Sequence, residues 1–149
     1  MAETSSRCAI AVAISADPLD VVAALSMAAD RECGGLGLFV GTVRTTPAVS
    51  GPSRVQRLDY DVHEELATAS LQEIAAAAAA QWDLRRIVAL HRSGECSVGD
   101  VTVIIACAAP HRSDALDACR FVIDEVKTKV PIWKREVYAD GSTWLEPHA

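Results

Sequence analysis

Cationic residues are the part of this chain best suited to chemistry, and they lie close together. All three lysines, Lys127, Lys129 and Lys134, fall in one stretch, and residues 127–135 (KTKVPIWKR) carry four positive charges and no acid. The chain as a whole is acidic, with 20 Asp and Glu against 14 Lys and Arg and a net charge of −6. A second cationic pair, His111 and Arg112, stands beside Ser113, a candidate helix N-cap. Such an island suits a small anionic ligand, a phosphate or a carboxylate. A plain structural explanation also exists: Lys127 and Lys129 complement a helix C-terminus, while Lys134 and Arg135 guard an edge strand. Composition alone leaves both open. Period-two alternation puts Lys134 and Glu136 on one strand face, and Trp133 and Arg135 on the other.

Other chemistries find less support. Gly35-x-Gly37 followed by Gly41 is not a GxGxxG nucleotide cradle, and a strand rather than a helix follows it. These glycines read as sites of a bulge or close backbone approach, or as a strand end that a ligand reaches where Arg44 projects. His63, His91, His111 and His148 form no HxxxH or HxH set, so no metal site is expected. The five cysteines are odd in number and include no CxxC pair, which suggests buried free thiols in a reducing compartment. No nucleophile elbow of the GxSxG type occurs. The acidic balance and an aromatic fraction of 5% argue against binding nucleic acid. No apolar run approaches the ~20 residues of a membrane span, and no basic segment precedes the first apolar stretch. A soluble cytoplasmic protein is the expectation.

The elements that position these residues can be read from periodicity. At 149 residues and 50% hydrophobic content, the chain suits one domain, 1–149. Cys8 to Ile14 reads as a strand, and Asp17-Pro18 as a helix start leading to about Ala29. Leu36 to Arg44 is a strand, and Thr45 to Ser53 a loop with two prolines and a glycine. Val55 to His63 alternates as a half-buried strand, and Glu64 to Trp82 is a helix with six consecutive alanines. Arg86 to His91 and Val101 to Ala108 are strands joined through Gly94–Gly99. Ser113 to about Lys129 carries an apolar stripe at i, i+3, i+4 spacing and reads as a helix that Pro131 ends. A strand over Ile132 to Tyr138 and a turn at Gly141 complete the chain. Short connections between successive strands imply antiparallel pairs and an α+β fold.

Four blocks make the sequence resemble a known family, the large catalytic subunit of molybdopterin synthase. They are FVGTVR (Phe39–Arg44), LDYDVHEELA (Leu58–Ala67), HRSGECSVGD (His91–Asp100) and the long PHRSDALDACRFVIDEVKTKVPIWKRE (Pro110–Glu136). The resemblance implies an α/β hammerhead-like fold, mostly antiparallel, with helices packed on the sheet and a small extra β subdomain. It implies a sulfurtransferase of molybdenum cofactor biosynthesis. The substrate is cyclic pyranopterin monophosphate, and the sulfur arrives on the C-terminal thiocarboxylate of a small ubiquitin-like subunit. The large subunit forms a homodimer within a heterotetramer, and no metal or resident cofactor is implied.

Carried over by position, the substrate-binding residues are Thr42, Val43, Arg44, His111, Arg112, Lys127, Lys134, Arg135 and Glu136. Arg44, His111 and Arg112 are assigned to pterin and phosphate; Lys127 and Lys134 are assigned to catalysis near the thiocarboxylate carbonyl. If Ser113 to Lys129 is one helix, Arg112 and Lys127 stand about 22 Å apart along it, so either the HR pair folds back or a second copy supplies it across a two-fold axis, and the second is expected. The Thr45–Ser53 loop lacks the Gly-Arg pattern of relatives, and no contact is carried over beyond Glu146. A rival reading is a non-catalytic dimeric assembly module that binds a partner's C-terminal tail. It needs positive charge but not these residue types at these positions, so the enzyme is favoured.

Overall fold

A computed structural model describes residues 7–48 and 53–145. Positions 1–6, residues 49–52 of the Thr45–Ser53 loop, and positions 146–149 lie outside the described residues. The element order is β1 (Ala9–Ser15), α1 (Val21–Ala28), β2 (Gly35–Thr42), β3 (Arg57–Val62), α2 (Glu64–Gln81), β4 (Arg86–Arg92), β5 (Gly94–Ser97), β6 (Val101–Ala109), α3 (Arg112–Lys129), β7 (Ile132–Tyr138) and β8 (Gly141–Trp144).

The strands form two four-stranded sheets, β1-β4-β6-β2 and β5-β3-β7-β8. Only β1 and β4 pair in parallel among the described strands; the other pairings are antiparallel. The fold is α+β, and the second sheet is the extra β unit. Strand β6 is apolar from Val103 to Ala109, and both faces of that stretch are covered. Val103, Ile105 and Cys107 join the core beneath α2 and α3, while Ile104 and Ala106 face α1. In α2 the alanine run supplies small buried side chains, Ala75 and Ala78, beside Leu71 and Ile74, so the helix seats on the sheet without bulk.

Helix α3 crosses the edge strand β2 at a distance only glycine permits. A Cβ on Gly37 would stand 2.3 Å from the Ala115 carbonyl oxygen. Close backbone approach is thus what this glycine provides, and the register shift between Gly41 and Thr42 adds the bulge. Helix α3 is one 18-residue rod, so its two ends are held far apart.

Several boundaries differ from the sequence reading. Helix α1 starts at Val21 and not at Pro18: Asp20 is the cap, its carboxylate accepting from the Ala23 N–H at 3.1 Å. Asp17 is held instead in a turn with Ser15, whose hydroxyl oxygen accepts its N–H. Helix α3 begins one residue before Ser113, because the His111 carbonyl already accepts from the Ala115 N–H; His111 is the cap and makes no side-chain bond there. Strands β5 and β8 stand where the sequence suggests a connection and a turn. Each has four residues and opens on a glycine at positive φ, too short a run for alternation to reveal.

Candidate active site

The two sheets meet at a seam, and a pocket of about 400 Å³ opens there. Its walls come from the end of β2, from β3 and β7 of the second sheet, and from the last turn of α3. The β3–β7 register decides which side chains enter. Tyr60 pairs with Lys134 and Leu58 with Glu136, and all four line the pocket. The intervening pair, Asp59 and Arg135, faces the other way. There Arg135 donates to Asp59 through Nη2 at 2.6 Å and Nε at 3.2 Å, and its guanidinium lies 5.3 Å from the centre of the Trp144 ring. Arg57 also donates to Asp59, at 2.9 Å. Burial pushes the Asp59 carboxyl up, but the two arginines more than offset that and hold it below its usual range.

The pocket gathers Thr42, Arg44, Lys127, Lys134 and Glu136 from the residues singled out in the sequence. Lys127 keeps access to solvent while lining the pocket, and Lys134 is half-buried. Desolvation lowers the affinity of Lys127 for its proton, and Arg44 adds to the effect. Lys134 is pulled down to about 8, first by burial and then by Lys127, with Arg44 contributing and Glu136 opposing. Lysines held this way exert strong fields on an incoming anion. Glu136 is 4% exposed; it accepts from the Ala48 N–H at 3.1 Å and from the Tyr138 hydroxyl at 2.7 Å. It therefore ties the chain after β2 to the pocket rim.

The remaining sequence candidates lie elsewhere in this chain. Val43 is buried with Val55, Tyr60 and Cys96 in the core of the second sheet. Arg135 is on the far face of β7, as described above. His111 and Arg112 line a separate cleft at the N-terminal end of α3. Lys129, next to Lys127 in the island, forms an i,i+4 ion pair with Glu125 on the helix surface. The basic island thus divides: Lys127 and Lys134 serve the pocket, while Lys129 and Arg135 make structural ion pairs.

Tyr60, Thr102 and His91 were not singled out from the sequence. Tyr60 and Thr102 line the pocket. His91 and Tyr60 line a small space of about 40 Å³ behind the two lysines. Only the alternation of Leu58, Tyr60 and Val62 could have indicated Tyr60. All five cysteines are free; Cys96, Cys107 and Cys119 are buried, while Cys8 and Cys33 are half-exposed. Burial pushes Cys107 up to about 12 and Cys119 to about 11, so neither is a thiolate at neutral pH. Among the described residues no helix is long and apolar enough to cross a membrane. Nor do three or more His, Cys, Asp or Glu side chains among them gather as a metal site requires.

Comparison with known proteins places this geometry in a family. Residues 14–129 match the family model described as MoaE protein. The molybdopterin synthase catalytic subunit of Arabidopsis thaliana is 39% identical over 128 residues, covering 86% of this chain and 63% of that protein. The chain thus spans less than two thirds of that relative's length. The solved molybdopterin synthase structure from Staphylococcus aureus superposes with a TM-score of 0.84 at 28% identity, covering 90% of this chain and 96% of the other. A chain in the complex of subunits 1 and 2 of molybdopterin-converting factor from Helicobacter pylori shares the fold, with a TM-score of 0.74 at 20% identity, covering 93% and 92%.

The lowered Lys134 makes a prediction about stability. Its folded pKa of about 8 lies below the ordinary lysine value of 10.5. Between those values the unfolded chain binds more protons, so this residue's contribution to stability rises with pH across that window and is least favourable below about 8. Lys134→Met is therefore expected to raise the thermal unfolding midpoint at pH 7. Its advantage over the wild type should shrink as pH climbs from 8 towards 10. Paired melting curves across that range check the sign.

Proposed function

The chain belongs to the MoaE protein family, and from that premise we propose that it is the catalytic subunit of a molybdopterin synthase. Its reaction transfers sulfur from the C-terminal thiocarboxylate of a small ubiquitin-like subunit to cyclic pyranopterin monophosphate and forms the dithiolene of molybdopterin. The observation that carries this reading is the gathering of Lys127, Lys134 and Arg44 around one pocket. The substrate bears a phosphate, and the sulfur donor is itself an anion. Bringing them together requires preorganised positive charge, which also stabilises an oxyanion developing on the tail carbonyl. Lys127 and Lys134 take that role. Arg44 and Thr42 contact the phosphate-bearing substrate, and an anion close to Lys134 favours its charged form. Glu136 holds the rim, while Arg135 and Val43 keep the strands in place.

Two partners complete the proposal. Gly41 and Ala48 line the pocket with little or no side chain, which suits an extended tail of glycine-like residues from the small subunit. The two-subunit Helicobacter pylori complex, with a chain of this fold, is in keeping with such a partner. The second partner is another copy of this chain. Fifteen residues of one helix separate Arg112 from Lys127, about 22 Å along the axis, too far for one pterin monophosphate to bridge. In a two-fold homodimer each copy would lend His111 and Arg112 to the other's pocket. The assembly is then a heterotetramer with a small subunit at each end. Five free cysteines fit the reducing cytoplasm.

Reconstitution tests the reaction. The chain, a thiocarboxylated small subunit and cyclic pyranopterin monophosphate should yield dithiolene product. Lys127→Ala should lose about 10²- to 10³-fold in turnover while folding and partner binding persist. Lys129→Ala should stay near wild type, since Lys129 pairs with Glu125 on the helix surface. Near-normal turnover of Lys127→Ala would remove the catalytic assignment. Partner binding without any product would favour the assembly-module reading.

Mixing variants tests the shared site. Arg112→Ala and Lys127→Ala chains are each expected to be weak alone. In a mixed dimer with contributions in trans, one pocket carries both lesions and the other carries none, so activity returns in part. Heterodimers that form but show no recovery would place both residues in the same pocket.

A further inference from the structure

His91, at the end of β4, is 6% exposed, and the sulfur-transfer reading above gives it no role. Its Nδ1 stands 2.7 Å from the Arg92 carbonyl oxygen. A carbonyl oxygen only accepts, so the proton sits on Nδ1 and Nε2 carries a lone pair. The Tyr60 ring meets the imidazole edge-on at 5.1 Å and 83°, which fixes its plane. Burial, reinforced by Lys127 and Lys134, holds His91 down at about 4, so the ring is neutral at physiological pH. His91 shares a space of about 40 Å³ with Tyr60 of β3, Lys127 of α3 and Lys134 of β7. Arg44 and Glu136 line the larger pocket adjoining it. That space has room for one water, and an imidazole acceptor with two ammonium donors supplies the polar partners a bound water needs.

We infer that His91 is a positioning residue: its Nε2 accepts a hydrogen bond from a water that in turn accepts from the ammonium groups of Lys127 and Lys134, fixing both lysine heads in the larger pocket. The inference rests on the reading of that pocket as the sulfur-transfer site. Its physical content is orientation. Two flexible four-carbon side chains must point at one carbonyl, and a misplacement of about 1 Å can cost about 10²-fold in rate.

Isosteric variants separate this role from a merely structural one. His91→Asn keeps a donor near Nδ1 for the Arg92 carbonyl but has nothing at Nε2; His91→Gln places its amide near Nε2. The expected order is wild type, then Gln within about tenfold, then Asn down by about 10²-fold in kcat, with KM for the pterin little changed. A purely structural tie to Arg92 would reverse the two variants and overturn the inference. A second readout needs no turnover. With only three lysines in the chain, isotope-labelled lysine NMR can follow each amine. In His91→Asn the Lys134 midpoint should fall below its wild-type value of about 8, because the ammonium form loses an acceptor, while Lys129 stays put as an internal reference. Unmoved Lys127 and Lys134 midpoints would overturn the inference. A third measurement uses the wild type alone: histidine nitrogen NMR should show the Nδ1–H tautomer at His91, and an Nε2–H tautomer would refute it. If the wild type makes no dithiolene yet the lysine midpoints move as described, the proposed function fails and the His91 linkage stands.

Discussion

Gathering Lys127, Lys134 and Arg44 around one half-enclosed pocket works against the free protein. Lys134 gives up water on burial and feels Lys127 and Arg44, which is why it is drawn down to about 8. Much of the architecture can be understood as holding that unfavourable arrangement in place. The β3–β7 register sets Lys134 against Tyr60 and Glu136 against Leu58 on the pocket face. On the reverse face of the same strands, Asp59 draws Arg57 and Arg135 together and pins the two strands to each other. Glu136 is the carboxylate that lines the pocket, and it is committed to the Ala48 N–H and the Tyr138 hydroxyl. Its remaining field tempers Lys134 without neutralising the site.

Helix α3 supplies the other half of the constraint. It must deliver Lys127 to the seam, and it must do so rigidly. Its close seat on β2, allowed by Gly37, and its buried face of Ala118, Cys119, Val122, Ile123 and Val126 lock the rod onto the sheet. At its last turn, the helix dipole favours both lysines. Their neighbours then separate their roles: Lys129 turns to Glu125, and Lys127 turns to the pocket. The opposite end of the same rod carries His111 and Arg112, so the rigidity that places Lys127 also keeps that pair away from the pocket of its own chain.

Most of the elements were legible in the sequence because they are long and periodic: α2 and α3 by their apolar stripes, β6 by the apolar run that starts at Val103. The α+β class followed from short links between strands. The pocket cations were legible for two reasons. The lysines are confined to one run in an acidic chain, and alternation along Ile132 to Tyr138 separated Lys134 and Glu136 from Arg135, as the register shows. Helix caps were misplaced because Asp17 and Asp20, or Ser113 and His111, compete within a few residues, and the choice depends on where the chain leaves the preceding strand. Strands β5 and β8 escaped because four residues carry too little pattern. Tyr60 and His91 escaped for a deeper reason. Their position at the lysines arises only when β3 of one sheet and β4 of the other meet at the seam, and no local spacing encodes that meeting.

In the proposed reaction the pocket receives an anionic tail end beside an anionic substrate. The most direct measurement titrates the chain with two forms of one glycine-ended tail peptide, one with a C-terminal carboxylate and one with a carboxamide. The carboxylate is expected to bind about tenfold more tightly or better. That advantage should weaken as salt is raised and disappear when Lys127 and Lys134 are both replaced by methionine. Equal binding of the two forms to the wild-type chain would contradict it.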